Sequence, residues 1–323
     1  LVEAQDYRYR YVSLEAALPP GIDFFDATGI NNHGLIAGTA YDASFLPYVA
    51  VYDGGVLTTL DVGFGDVINQ GGTIAGGVLL DPVNFIEQAA LFHDGTVELV
   101  PRLPGEVTSE AFLLADTGEA IVSSFDASFN LTYALYKNGK VTPLDFGSSV
   151  GSAFFLDLNN NGIISGTTFV AGTGYRGFRF DSRTGEATLL NPLPTEPHSW
   201  ALGINDSGDV LGYSFIFGAT ERIGVWNKKG EFQTYFTEGT PEFPTVSNYL
   251  TFNNNDLIAI SETTDDTSYL VPKPGVRLDL ANLVTNLPPG PGALYLIRRV
   301  NAHGDLIGVG FNDTFLLQRV GSD

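Results

Sequence analysis

Short runs of alternating apolar and polar residues, broken every few positions by Gly, Asn or Asp, run the length of this chain. A period of two predicts strands with one buried face, and the breaks predict tight turns. Stretches such as Tyr48-Val49-Ala50-Val51-Tyr52 and Ala134-Leu135-Tyr136 read as strands, each ending at an Asp-Gly or Asn-Gly pair (Asp53-Gly54, Asp94-Gly95, Asn138-Gly139). Those pairs favour hairpins because both residues tolerate positive φ.

One turn signature recurs, with the pattern Ile-Asn-x-x-Gly-x-Ile-x-Gly. It begins at Ile30, Ile68, Leu114, Leu158, Ile204, Phe252 and Val300, and the copies at Leu114 and Phe252 are worn. Repetition at this period, with four short strands in each unit, is the pattern of propeller blades. The last copy ends after its third strand, whereas the chain begins with an unassigned strand, Tyr7 to Leu14. The expected fold is therefore all-β: one seven-bladed β-propeller over residues 1–323, with four-stranded blades. Residues 1–16 are expected to close the ring as the outer strand of the last blade and so remove an open edge.

The repeat resembles that of the bacterial extracellular HAF family, whose members carry GINxxGxVVGxS, an apolar strand, a DNG turn and a strand ending in Leu. Gly29 to Gly38, Gly203 to Ser214 and the Asp-Gly turns carry the likeness. The His-Ala-Phe of the family name is replaced by Tyr48 to Val51 and Gln88 to Phe92. The resemblance implies a propeller and export. It implies no single activity and brings no catalytic residues.

Composition narrows the partners. With 16 Lys and Arg against 37 Asp and Glu, the net charge is −21. Nucleic acid and anionic membranes are expected to be repelled, and a soluble monomer is favoured. Cys and Met are both absent, which excludes disulfides and thiolate chemistry. A chain that begins at Leu1 and lacks Met reads as processed, so a secreted, extracellular or periplasmic location is expected.

The candidate chemistry is sparse. Asp157 to Gly162 starts like a calcium loop, but Thr168 stands where that loop needs a Glu. Gly172 to Gly177 fits a dinucleotide motif without the helix it requires. Gly147 to Gly151 places Ser149 in a nucleophile-elbow pattern without its strand-turn-helix setting. His33 and His303 occupy equivalent turns on the face opposite His198, and His93 lies at the outer rim, so no metal site is expected, and no cofactor is expected either.

What remains lies on one face, where the loops entering each blade and those joining its second and third strands are rich in aromatics. Tyr41-Asp42-Ala43-Ser44-Phe45 recurs as Phe125-Asp126-Ala127-Ser128-Phe129. Expected ligand contacts are Phe25, Tyr41, Phe45, Phe129, Asp157, Tyr175, Trp200, Phe217, Arg222 and Arg298. The first reading is an exported binding module for a glycan, an aromatic small molecule or a protein. The alternative is an extracellular lyase or hydrolase acting on a polysaccharide or small metabolite at the channel mouth, with His198 or Tyr249 as acid or base and Arg299, Arg298 or Arg222 neutralising charge. A third reading is a scaffold with no small ligand. A pocket gathering His198, Tyr249 and an Arg would favour the enzyme, and a shallow aromatic face the binder. Inner-strand register decides whether Arg298 or Arg299 meets the channel.

Overall fold

In the computed structural model, residues 6–146, 153–238, 248–262 and 266–321 are described. Each repeat begins with the same turn. The Asn31 carboxamide oxygen accepts the backbone N–H of His33 at 2.9 Å and of Leu35 at 3.1 Å. Asn159, Asn253 and Asn301 make the same pair of bonds. The fourth turn residue is left-handed, as at Gly34 (φ 80°), and Asp256 (φ 60°) takes that place once. Glycine has no Cβ to strain there, and Asp is among the few residues that tolerate it.

The strands that leave these turns are antiparallel and, among the described residues, form six hydrogen-bonded sheets. Four sheets have four strands each, and their inner strands are Glu106–Leu114, Ala153–Leu158, His198–Ile204 and Asn248–Phe252. The expected set of seven separate four-stranded blades is thereby corrected. Val56–Ile68 runs unbroken for 13 residues. Its first half is the outer strand of one repeat and its second half the inner strand of the next, so two repeats share one seven-stranded sheet. Neither residue between Leu60 and Gly63 is free to form a loop, since Asp61 pairs with Val49 and Val62 with Tyr48.

The role expected of residues 1–16 is corrected as well. Tyr9–Ser13 pairs antiparallel with Thr314–Arg319, yet it is not the outermost strand. Val284–Thr285 lies outside it in parallel register, which makes a five-stranded sheet.

The inner strands carry a feature that alternation does not reveal. In six of them the register slips by one residue, at Thr28, Asp66, Phe112, Leu156, Leu202 and Arg298. Asn248–Phe252 pairs without a slip. A bulge leaves its extra residue unpaired and re-aims its side chain. At three of the bulges, Thr28, Asp66 and Arg298, the extra side chain reaches the next inner strand. The Thr28 hydroxyl donates to the Gly65 carbonyl at 3.0 Å, and Arg298 Nη2 meets Asp26 Oδ1 at 2.8 Å. The residue just before each bulge packs between sheets, and Ala27, Ala111 and Ala201 are fully buried there. Small side chains fit where neighbouring sheets converge on the axis.

Candidate functional site

The two ends of the axis differ. At one end, seven turns meet around a cavity of about 190 Å³. Each turn passes a hydrogen bond to its neighbour: Asn32 N to Gln70 Oε1 at 2.9 Å, Gln70 N to Asp116 Oδ1 at 2.8 Å, and Asp116 N to Asn160 Oδ1 at 2.7 Å. The series continues from Asn160 N to Asp206 and from Asp206 N to Asn254, and Ala302 N returns to Asn32. These side chains are occupied in holding the ring, which marks this end as structural. His33 and His303 sit in these turns, and no group of three metal-ligating side chains occurs among the described residues.

Along the inner strands lies a charged cluster. Asp157 accepts two backbone N–H groups, from Leu158 and Ile204, both at 2.9 Å. Arg299 is exposed and donates to the Arg298 carbonyl at 3.1 Å. Asp66 and Glu110 hydrogen-bond to each other, and burial, then mutual repulsion, pushes the Asp66 carboxyl far up. Burial raises Glu110 too. Glu87, beside Glu110, is pushed up to about 8 by burial and by that neighbour. Three carboxyl groups therefore share this space, and each is held above its ordinary range, because like charges in low dielectric repel one another and burial disfavours the ionised form. Arg299 pulls Asp66 and Asp157 the other way.

The third feature is an aromatic cluster across two sheets. Tyr175 is its hub, with ring centroids 5.4 Å from Phe169, 5.3 Å from Trp200, 6.0 Å from Phe217 and 6.2 Å from His198. His198 also meets Phe215 at 5.2 Å and Phe217 at 4.7 Å. Offset and edge-on arrangements at these distances are the favourable ones for rings. Phe215 is buried, whereas Phe169 is 56% and Phe217 49% exposed. Burial, then the nearby Arg176 guanidinium, holds the His198 imidazole below its usual range. Its Nδ1 has no hydrogen-bond partner. Gly174 (φ 90°) lies against the imidazole so closely that a Cβ would come within 2.4 Å of it.

The expected site residues thus fall into separate places. Tyr175, Trp200, Phe217 and His198 are together. Phe25 is fully buried in the core, so its expected contact with a ligand is corrected. Tyr41 stacks on Phe24 at 5.9 Å. Phe45 and Phe129 stand at hairpin tips, 83% and 86% exposed. Arg222 pairs with the buried Glu196, and Arg298 with Asp26. His198 and Arg299 are not brought together, since His198 is enclosed by rings and Arg299 belongs to the charged cluster. Tyr249 pairs with Ser261 through its backbone, and its side chain lies outside the described residues, as does Ser149 with Gly147 to Gly151.

Sequence reasoning missed Asp66, Glu87 and Glu110. Strict alternation does not bring out Asp66, because it is the bulge residue between Gly65 and Val67. A search for charges anywhere on the inner strands would have found Asp66 and Glu110.

No family model and no curated protein matches the chain. Solved structures do. A catalytically inactive virginiamycin B lyase from Staphylococcus aureus with quinupristin superposes at a TM-score of 0.61 and 11% identity, covering 97% of this chain and 99% of that one. A streptogramin B lyase gives 0.60 and 13%, covering 99% and 100%. YCF48 from Cyanidioschyzon merolae gives 0.51 and 11%, covering 95% and 98%. At these identities the likeness is one of fold, and it extends over nearly the whole molecule: the chain is an all-β propeller module.

Proposed function

We propose that this chain is an exported binding module, and that a glycan or a small aromatic molecule stacks on the cluster of Tyr175, Trp200 and Phe217. The supporting observation is the arrangement of the rings. They are held in place by one another and by buried Phe215, yet Phe169 and Phe217 keep about half their surface open. Preformed apolar surface beside solvent is what a stacking ligand needs, since little ordering is left for binding to impose. Export rests on the repeat's resemblance to an extracellular family. No helix among the described residues is long and apolar enough to cross a membrane.

A second reading is a lyase or hydrolase. It is favoured by the fold's likeness to the two lyases and by Glu87, whose carboxyl is pushed up to about 8 beside Glu110 and Asp66 and so offers a general acid near neutral pH. The three residues first expected to catalyse do not support it as a set.

One titration separates the readings. Of the two Trp residues, Trp226 is fully buried and donates to the Asn191 carbonyl, so quenching by a ligand reports on Trp200. Oligosaccharides and phenolic compounds should quench the natural chain and fail to quench Tyr175→Ala and Phe217→Ala. Quenching that survives both substitutions would remove the cluster as the site. New product masses that vanish in Glu110→Gln would establish the enzyme reading.

A further inference from the structure

The seven turns that close the ring all lie at one end of the axis, so the hairpins joining the second and third strands of each repeat lie at the other. Three consecutive tips are each held by an aspartate side chain, and those at Asp42 and Asp126 share one construction. Asp42 Oδ1 accepts the N–H groups of Ser44 and Leu46 at 2.8 and 3.0 Å. Asp81 Oδ1 accepts those of Val83 and Asn84 at 2.9 and 3.1 Å. Asp126 Oδ1 accepts those of Ser128 and Asn130 at 2.8 and 3.0 Å. Each tip ends in a phenylalanine with left-handed backbone: Phe45 (φ 61°), Phe85 (φ 52°) and Phe129 (φ 61°).

Local stability does not explain that choice. A left-handed φ strains any residue with a Cβ, and a bulky aromatic more than most. Glycine or asparagine would relieve the strain. Phe85 is also 69% exposed, and Phe45 and Phe129 are more exposed still. None of the three rings contacts another aromatic ring of the described residues, unlike those of the Tyr175 cluster. The same residue thus stands at three successive tips against both backbone strain and solvent. Exposed rings on rigid, strained turns are the kind of feature that serves recognition.

Charge identifies what they recognise. The hydrogen bonds of Asn84 and Asn130 hold Asp81 and Asp126 below the usual carboxylate range, so both stay ionised beside their rings. A carboxylate next to an open ring face attracts a cation carried on an apolar body, through ion pairing and cation–π contact together. Anionic lipid is repelled by a molecule of net charge −21.

We propose that Phe45, Phe85 and Phe129 form a docking surface for a basic, apolar segment of a partner protein. This surface is separate from the Tyr175 cluster, and it stands or falls independently of the ligand proposed there.

The test uses the full chain and a fluorescently labelled synthetic peptide of alternating Lys and Leu, read by anisotropy. Controls are an alternating Glu and Leu peptide and phosphatidylcholine vesicles. The variant is Phe45→Asn/Phe85→Asn/Phe129→Asn, which leaves net charge unchanged and suits left-handed backbone. The Lys-Leu peptide should bind the natural chain and bind the triple variant at least about tenfold more weakly. Tyr175→Ala should leave that binding intact. Should the triple variant not melt cooperatively, Phe45→Gly and Phe129→Gly are tested singly, and each must weaken binding. Equal binding by the substituted chains, no binding by the natural chain, or preference for the acidic peptide or the vesicles would overturn the proposal.

Discussion

Asn301 donates its side-chain amide to the backbone carbonyl of Asn31 at 3.1 Å, across 270 residues of sequence. The adjacent Ala302 N–H donates to Asn32 Oδ1 at 2.8 Å. The last repeat turn and the first are thus joined in the way consecutive turns are joined elsewhere, as Asn31 is to the carbonyl of Asn69. Asn301 also builds its own turn through His303 N and Asp305 N.

Asn301→Ala removes the bonds that its buried side chain makes to the Asn31 carbonyl and to the N–H groups of His303 and Asp305, and leaves those two N–H groups without their acceptor. A loss of about 2–4 kcal/mol of unfolding free energy is expected. Asn32→Ala, which gives up a single acceptor at a half-buried position, should cost about 1 kcal/mol. Urea unfolding followed by circular dichroism checks both, and equal effects would show that ring closure does not depend on the buried amide.

Gly174→Ala should be destabilising by about 1–3 kcal/mol, for two reasons that act together. The backbone there is left-handed, and the new Cβ meets the His198 imidazole. Displacement of His198 disturbs Tyr175 and Phe217, so Trp200 fluorescence should shift while that of buried Trp226 stays put. An unchanged emission spectrum with lowered stability would separate backbone strain from the cluster.

The carboxyl cluster sets a pH dependence opposite to that of most acidic residues. Burial raises the Glu87 pKa from 4.5 to about 8, so between those values the folded chain holds a proton that the unfolded chain has released. The folded state is favoured below that window, and stability declines as pH rises through it. Raised Asp66 and Glu110 add to the same trend. Glu87→Gln keeps the shape and cannot ionise. It should raise the melting temperature at pH 8.5 by about 2–4 °C and leave it nearly unchanged at pH 4.5. A gain of equal size at both pH values would point to packing instead of ionisation.

Phe45→Asn should leave the melting temperature unchanged or raise it by about 1–3 °C, since the substitution relieves left-handed strain and buries nothing less. A clear fall would mean that the ring supports the fold and is not free to serve a partner.

The bonding pattern of nearest neighbours was legible in the sequence. Alternation predicts strands, Asn-x-x-Gly predicts the turns, and their recurrence predicts an all-β repeat, because each depends on residues within a few positions of one another. The relationships across the axis were not. Whether Val56–Ile68 breaks between two sheets, and where Tyr9–Ser13 lies in the last one, depend on loop length and on competition among strand edges far apart in the chain. The bulge at Arg298 turns that side chain to Asp26 and leaves Arg299 exposed, a choice that one residue of register decides. The aromatic face looked uniform along the chain. Only packing against neighbouring sheets divides it into a buried ring at Phe25, a joined cluster at Tyr175 and free tips at Phe45 and Phe129. The carboxyl group of Glu110 meets Asp66 because inner strands converge, and it meets Glu87, on the third strand Ile86–His93 of the preceding repeat, because neighbouring sheets pack face to face; both depend on the closed ring and not on any one segment.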